Sequence, residues 1–230
     1  MNINGLQKLT LLDFPGRTAC TVFLAGCDMR CPFCHNSELI SGNAPVELTD
    51  AELLSFLEKR KGLLDGVAFT GGEPTLRKDL PDLMRKIKDL GYGVKLDTNG
   101  NHPDALKYIL ENDLADYVAM DIKNSPEMYA QTIGLDSFDM APVYESIALL
   151  LSSGIDFEFR TTVVDQLHDE GSFKKIGPMI EGAKKYFLQP FTDRDSVIFS
   201  GFSAPEKAKL EKYASIVAPF VENVEIRGLE

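Results

Sequence analysis

Three of the four cysteines of this 230-residue chain lie within eight residues, and they constrain its fold and chemistry more than any other feature. The segment reads Cys27-Asp28-Met29-Arg30-Cys31-Pro32-Phe33-Cys34. Cysteines at such short spacing are typical of a metal site. Three thiolates leave a tetrahedral zinc shell one ligand short, whereas a cubane iron–sulfur cluster can take three thiolates and keep one iron open. An open iron is a place where chemistry can happen.

A structural zinc site is the alternative, and it needs a fourth ligand. His35 follows the last cysteine directly, and Cys20 is the remaining cysteine of the chain. Cys20 lies in the apolar run 19–24, where a free cysteine usually acts as a small buried hydrophobe. His35 taken alone would be a surface histidine. The cysteines by themselves leave zinc open as an alternative.

Composition and charge limit the classes of function. A hydrophobic content of 44% over 230 residues is enough for one sizeable core, so we expect a single domain covering residues 1–230. The net charge of -11, without a cluster of Lys and Arg, argues against nucleic acid as a partner. No apolar run predicts a membrane span or a signal peptide. Together with cysteines at metal-ligand spacing, this predicts a cytoplasmic protein.

Strand-like and helix-like segments alternate along the rest of the chain. The capping box of Thr49 and Glu52 begins the first helix, and Gly91 ends the second. The predicted strands are 19–24, 66–70, 94–97, 117–122, 156–164 and 186–189, with a short last strand at 224–226. The predicted helices are 50–61, 80–90, 103–111, 142–151, 173–183 and 205–217. Six principal strand-then-helix units predict an α/β fold with a parallel sheet, arranged as a partial (β/α)6 barrel.

Polar motifs follow the first four of these strands. They are the cysteine loop 27–34, Gly71-Gly72-Glu73-Pro74, Asp97-Thr98-Asn99-Gly100 and Asp121-Ile122-Lys123. Because reactive groups of such barrels collect at the carboxyl ends of the strands, we expect these motifs on one face. Two glycines let the backbone approach a ligand closely, and a glutamate can bind an ammonium group. Taken alone, each motif is also an ordinary turn or ion pair.

One arginine lies within an apolar strand. Arg160 stands in the run Phe157-Glu158-Phe159-Arg160-Thr161-Thr162. A charge that points into a barrel needs a partner, because burying an unpaired charge is costly. We therefore expect a carboxylate of the site or of a bound ligand to pair with Arg160.

The cysteine motif resembles the cluster loop of the radical S-adenosylmethionine superfamily. The Cys-x3-Cys-x2-Cys spacing directly after a strand matches that loop, and the ending Cys34-His35-Asn36 is similar to that of glycyl-radical-enzyme activating proteins. The opening 6–16 resembles activators of anaerobic ribonucleotide reductase. The resemblance covers nearly the whole chain. It implies a 4Fe-4S cluster held by Cys27, Cys31 and Cys34, with S-adenosylmethionine as the second cofactor.

The resemblance also implies roles for the strand-end motifs. Phe33 would lie beside the adenine, and the backbone of 70–73 would hold the methionine part of the cofactor. Asp97 and Asp121 would gather round a monovalent cation that offsets their repulsion, with Lys123 near the cofactor. The implied cofactor-binding residues are Phe33, Thr70, Gly71, Gly72, Glu73, Asp97, Thr98, Asp121, Lys123 and Arg160.

The reaction implied by the resemblance begins with one electron from reduced flavodoxin or ferredoxin. It breaks the sulfur-to-C5′ bond of S-adenosylmethionine and yields a 5′-deoxyadenosyl radical, which takes the α hydrogen of a glycine in a partner glycyl-radical enzyme. Anaerobic ribonucleoside-triphosphate reductase is the partner that the opening segment favours. The protein then orients the cofactor and excludes water, and no residue need act as acid or base.

Two departures and two alternatives accompany this interpretation. After the sixth strand the chain reads Gln189-Pro190-Phe191-Thr192, where relatives of the pyruvate formate-lyase activator type carry a histidine. No second cysteine-rich insertion separates Cys34 from Glu47, so we expect one cluster at most. The alternatives are a small-molecule radical enzyme similar to 7-carboxy-7-deazaguanine synthase, with a closed polar pocket, and a non-catalytic metal-binding interaction module.

Overall fold

The computed structural model describes residues 2–228 of the chain. The strands in this range are β1 (Asn2–Ile3), β2 (Gly5–Thr10), β3 (Ala19–Leu24), β4 (Leu48–Thr49), β5 (Gly66–Gly71), β6 (Gly93–Thr98), β7 (Tyr117–Asp121), β8 (Asp156–Val163), β9 (Lys185–Pro190) and β10 (Asn223–Ile226). The helices are α1 (Asp50–Glu58), α2 (Leu80–Asp89), α3 (Pro103–Glu111), α4 (Pro126–Thr132), α5 (Ala141–Ser152), α6 (Glu170–Met179) and α7 (Lys207–Val217).

Eight of the strands form one sheet in the order β10-β9-β8-β7-β6-β5-β3-β2. Neighbouring strands are parallel from β3 to β10, and only β2 runs antiparallel to its neighbour β3. β1 and β4 form a separate antiparallel pair. The predicted partial barrel of six strand-and-helix units is confirmed, with β3, β5, β6, β7, β8 and β9 as its six strands. In the described residues β2 and β10 end the sheet without pairing to each other, so the barrel is open.

Alternation along the strands separates the two faces of the sheet. On β7 and β8, Val118, Met120, Phe157 and Phe159 belong to the main apolar core, together with residues of the surrounding helices. The side chains between them point to the opposite face, because successive residues of a strand alternate. That inner face carries Asp121, Arg160 and the other charged groups described below. On these two strands the helix-covered side is therefore formed by every second residue of the apolar run.

The short pair of β1 and β4 was not predicted, and the ends of α1 and α6 and the start of α7 differ from the predicted bounds. Three further differences have a physical reason. β2 was missed because three of its six residues are exposed, so it lacks the alternation of a half-buried strand. The short helix α4 was also missed, since seven residues carry little periodicity. Helix α6 begins at Glu170 instead of about Phe173, because Asp169 caps it by accepting hydrogen bonds from the backbone and hydroxyl of Ser172.

The predicted start of α1 is confirmed in detail. Thr49 accepts a hydrogen bond from the backbone of Glu52, whose side chain accepts one from the backbone of Thr49 in return. None of the helices in the described range is both long and apolar enough to cross a bilayer.

Candidate active site

A cavity of about 500 Å³ lies at the carboxyl ends of the parallel strands. The structure brings every one of the predicted site residues to its wall. They are Cys27, Cys31, Phe33, Cys34, Thr70, Gly71, Gly72, Glu73, Asp97, Thr98, Asp121, Lys123 and Arg160. Because these residues come from five strand ends far apart in sequence, their meeting is a consequence of the parallel topology.

The cysteine loop forms one side of the cavity. Its backbone is anchored by hydrogen bonds from Gly26 to the carbonyl of Leu39 (2.7 Å) and from Arg30 to the carbonyl of Ile133 (2.7 Å). Cys27, Cys31 and Cys34 are half-buried free thiols, whereas Cys20 is fully buried within β3. The interpretation of Cys20 as a core residue agrees with this position.

Three thiols are the ligand set of a cubane cluster that keeps one iron open. Within residues 2–228, no three His, Cys, Asp or Glu side chains converge closely enough to hold one metal ion. A cubane does not require such convergence, because each thiolate binds a different iron. Burial raises the pKa of Cys27 to about 12 and that of Cys31 to about 11. These thiols would stay protonated until bound iron displaces their protons.

Gly71 and Gly72 let the loop after β5 press against the backbone at the start of the cysteine loop. A Cβ added to Gly72 would lie 2.2 Å from the carbonyl oxygen of Gly26, and one added to Gly71 would lie 2.5 Å from that of Leu24. Gly71 also has a φ of +116°, a backbone conformation that residues other than glycine rarely adopt. The sequence predicted close approach to a ligand. The structure adds a second reason for these glycines, close approach to the cysteine loop.

Glu73 is almost fully buried and joins two of the strand-end motifs. Its Oε1 accepts hydrogen bonds from the hydroxyls of Thr75 (2.5 Å) and Thr98 (2.8 Å), and its Oε2 accepts one from the backbone of Asn99 (2.6 Å). Burial raises its pKa, while these donors oppose the rise. Oε2 keeps a free lone pair, so an ammonium group could still bind there. Binding of an ammonium by Glu73 stays a prediction.

Asp97 and Asp121 face each other across Arg160. The guanidinium lies 3.2 Å from Oδ2 of Asp97 and 2.5 Å from Oδ1 of Asp121, and the ammonium of Lys123 lies 2.7 Å from Oδ2 of Asp121. The expected carboxylate partner of Arg160 is therefore a pair of site carboxylates. Although burial favours the neutral acid, Arg160 holds the pKa of both aspartates below the ordinary value.

Lys95 completes this charged group, although it was not among the residues predicted from the sequence. Its ammonium contacts Oδ1 of Asp97 from within β6, two residues away on the same side of the strand. A lysine within an otherwise apolar strand was the signal that could have identified it. The expected monovalent cation does not match this arrangement, because three cationic side chains already face the two carboxylates.

The cysteine loop is also tied to the segment between β9 and α7. His35 Nε2 lies 2.6 Å from the carbonyl oxygen of Thr192, and its ring stacks on Phe191. Phe33 packs edge-on against both Phe191 and Phe202. Asn36 donates a hydrogen bond of 3.0 Å to the carbonyl of Gly71. In this structure the Cys-His-Asn ending thus positions the loop.

Asp28, between the first two cysteines, binds the loop after β6. Its carboxylate accepts hydrogen bonds from the side-chain amides of Asn99 (2.8 Å) and Asn101 (2.5 Å), and His102 Nε2 lies 3.0 Å away. Although burial favours the neutral acid, these bonds and the charge of His102 lower the pKa of Asp28. Asp28 in turn raises the pKa of His102. This network ties the cysteine loop to the loop after β6.

Further residues that were not predicted from the sequence also line the cavity. Gln189 stands at the end of β9, at the position where the expected histidine is missing, and Thr162 follows Arg160 on the same face of β8. Arg194 reaches the cavity from the irregular segment after β9. Nothing in its local sequence indicated this, because the segment has no periodicity to place it.

Comparisons with known proteins agree with the fold and identify the family. The profile of the radical SAM superfamily matches residues 21–171. A protein of Methanocaldococcus jannaschii, provisionally named a glycyl-radical enzyme activating enzyme, is 29% identical over 233 residues, covering 99% of this chain and 96% of its own length. The pyruvate formate-lyase-activating enzyme of Clostridium pasteurianum is 36% identical over 132 residues, which is 53% of this chain and 52% of that protein.

A solved structure gives the same fold at low identity. Streptococcus suis SuiB bound to its precursor peptide SuiA has a TM-score of 0.69 at 12% identity, covering 91% of this chain and 48% of that one. The chain belongs to the radical S-adenosylmethionine superfamily. Membership implies an enzyme with a 4Fe-4S cluster and S-adenosylmethionine as its cofactors.

Proposed function

We propose that this chain is a glycyl-radical-enzyme activating enzyme whose partner is an anaerobic ribonucleoside-triphosphate reductase, and that it works as a single domain. The observation that carries the proposal is the meeting of three free cysteines and a cationic group at one cavity of about 500 Å³. The relative from M. jannaschii, similar over nearly its whole length, supports the activating class. The choice of reductase rests on the resemblance of the opening segment.

The residues of the cavity have separable tasks in this proposal. Cys27, Cys31 and Cys34 hold the cluster, which together with S-adenosylmethionine supplies reductive cleavage to a 5′-deoxyadenosyl radical. Arg160 and Lys123 give the cavity a cationic wall that suits a carboxylate of an amino acid. The largely apolar surface of Phe33 suits an adenine ring. A bound cofactor and partner loop would exclude water from the cavity, which would protect a reactive radical from stray hydrogen donors.

The open edge of the barrel supports a protein substrate. In the described residues the sheet ends at β2 and β10, and the two edges do not pair. Gln7 of β2, together with Asp13 beyond its end, lines the cavity, so the cavity reaches that edge of the sheet. A glycine-bearing loop could enter there, whereas the alternative enzyme for a small molecule would need a closed polar pocket.

The proposed electron donor is a reduced flavodoxin or ferredoxin. Reductive cleavage consumes one electron, and the chain has cysteines for one cluster only. With one cluster, the electron would pass from the donor protein directly to the cluster that cleaves the cofactor.

The test is to mix the reconstituted protein, reductant, S-adenosylmethionine and the candidate reductase without oxygen, and to record the electron paramagnetic resonance spectrum. We expect a glycine doublet that is lost when the target glycine of the reductase is replaced by alanine. Cofactor cleavage without a radical on the reductase, but with one on another glycyl-radical enzyme, would change the partner only. Cleavage without a radical on any such enzyme would favour the small-molecule alternative, and no cleavage at all would favour the binding module.

A further inference from the structure

Lys95 is a buried lysine on the inner face of β6. Its side chain is only 3% exposed, and its ammonium contacts Oδ1 of Asp97. Burying an ammonium is costly unless an opposite charge compensates it, and Asp97 supplies that charge. The converse also holds, since Lys95 neutralises an aspartate at the wall of the cavity.

Each of the four carboxylate oxygens of Asp97 and Asp121 has a cationic partner. Oδ1 of Asp97 contacts Lys95, and its Oδ2 lies 3.2 Å from Arg160. For Asp121, Oδ1 lies 2.5 Å from Arg160 and Oδ2 lies 2.7 Å from Lys123. A monovalent cation bound by these two aspartates would meet the repulsion of three cationic side chains that already lie beside their oxygens. Like-charge repulsion between the carboxylates is already offset without it.

We propose that the Lys95 ammonium takes the place of the monovalent cation that the activating-enzyme resemblance implies, so that S-adenosylmethionine binds independently of sodium or potassium. An ammonium group is a compact point charge, like these cations. Because it is part of the Lys95 side chain, it is present at every salt composition. The inference rests on the proposed cofactor site but not on the identity of the partner enzyme. Its test therefore needs no glycyl-radical enzyme.

The first measurement uses the reconstituted wild-type protein and its affinity for S-adenosylmethionine. The titration is made in tetramethylammonium salt and then with sodium or potassium, at constant ionic strength so that screening does not change. We expect the affinity to change by less than about twofold. A gain of about tenfold or more on adding either cation would overturn the proposal, because it would reveal a cation site that Lys95 does not fill.

The second measurement compares Lys95→Met, which keeps the alkyl volume without the charge, with Lys61→Met, which changes an exposed lysine. In tetramethylammonium salt we expect the affinity of Lys95→Met to fall by about tenfold, and sodium or potassium to restore much of it. Lys61→Met should match the wild type. A loss that neither cation restores, or no loss at all, would overturn the proposal.

Lys95→Arg covers the case in which Lys95→Met does not fold, as judged by its thermal melting. Because arginine keeps the charge, this variant should bind S-adenosylmethionine without either cation. If Lys95→Arg folds but binds the cofactor only when sodium or potassium is added, the proposal fails. If the wild-type protein binds S-adenosylmethionine without either cation but gives no glycine doublet on any glycyl-radical enzyme, the proposed function fails. This inference about Lys95 would still stand.

Discussion

The inner faces of β7 and β8 carry two buried ion-pair groups, one above the other, and the two are built differently. The upper group joins Asp121 and Arg160 at the wall of the cavity. The lower group joins Glu158, one inward-facing position before Arg160 on β8, to Tyr117, two inward-facing positions before Asp121 on β7, and to Arg227. Both contain an arginine and a carboxylate. Only the upper group faces the space where a ligand could bind.

The lower group is closed and balanced. Arg227 binds both oxygens of Glu158, at 2.7 and 2.8 Å, and Tyr117 donates a further hydrogen bond of 2.6 Å. The guanidinium also lies over the ring of Phe187. One cation and one carboxylate saturate each other, and burial together with Glu158 raises the pKa of Tyr117, which stays a neutral donor.

The upper group has more positive than negative partners, since Lys95, Lys123 and Arg160 face two aspartates. A balanced group stabilises the barrel, whereas a group with excess positive charge beside a cavity is suited to an anionic ligand. The comparison therefore predicts that changes in the upper part alter cofactor loading and binding, while changes in the lower part alter stability.

The largest expected effect comes from the cysteines at the upper end. Anaerobic reconstitution should give about four irons per chain, and Cys27→Ala, Cys31→Ala or Cys34→Ala should each lose the cluster because each removes one iron ligand. Cys20→Ala, the matched control in the core, should keep it. Iron and sulfide analysis checks this. Stoichiometric zinc in place of iron, or loss of the cluster in Cys20→Ala, would contradict the assignment.

The next effect is on stability and comes from the lower group. Arg227→Met leaves the carboxylate of Glu158, only 1% exposed, without its cation. Breaking a buried pair in this way costs roughly 3–5 kcal/mol, and we expect about 2–3 here because Arg227 is 35% exposed. Denaturant unfolding measures the loss. Iron content and affinity for S-adenosylmethionine should not change in the folded variant, and a selective loss of either would break the comparison.

Arg160→Met makes the corresponding change in the upper group, with the opposite outcome. Lys95 and Lys123 still neutralise the two aspartates, so the variant should lose less stability than Arg227→Met. Its affinity for S-adenosylmethionine should fall by about tenfold, because it loses a cation at the cavity wall. The control is Arg60→Met, an exposed position on the outer surface. Titration of each reconstituted variant with S-adenosylmethionine measures the difference. Equal affinities of Arg160→Met and Arg60→Met would mean that Arg160 has a structural role only.

The difference between the two groups also explains what the sequence could reveal. Upper-site residues follow strands in recognisable motifs, so parallel topology was enough to bring Glu73, Asp97 and Asp121 together. Arg160 was expected to need a carboxylate, because it interrupts an apolar strand. The lower group could not be predicted, since Arg227 comes from the end of the chain, where no motif relates it to Glu158.

Two other features lay beyond the sequence for physical reasons. Which oxygen of Asp97 pairs with Lys95 and which with Arg160 depends on how far neighbouring strands are shifted, and that register is not written in either strand. The contact of His35 with Thr192 joins positions that only the folded chain brings close, and the segment after β9 has no regular structure from which to infer it.

The smallest effect concerns pH, and it also divides the upper part from the lower. All three histidines, His35, His102 and His168, stand in loops after strands, and the lower group has none. Burial lowers the pKa of His168, whose Nε2 donates to the carbonyl of Lys123 (2.8 Å) while Nδ1 accepts from the backbone of Val164 (3.1 Å). The neutral ring is thus fully bonded.

The two perturbed histidines should give pH slopes of opposite sign. The pKa of His168 is lower in the folded than in the unfolded chain, so its contribution is lost as the pH falls below about 6.5. The pKa of His102 is raised by Asp28, so its contribution is present below about pH 6.5 and lost as the pH rises through the higher folded value.

Unfolding free energies of the reconstituted protein between pH 5.5 and 8 test these opposite slopes, each of which is at most about 1.4 kcal/mol per pH unit. His168→Asn should remove a loss of stability at low pH, and His102→Gln a loss at high pH. If neither variant changes the pH dependence of the unfolding free energy, these histidines do not titrate near neutrality. The upper and lower parts would then not differ in their response to pH.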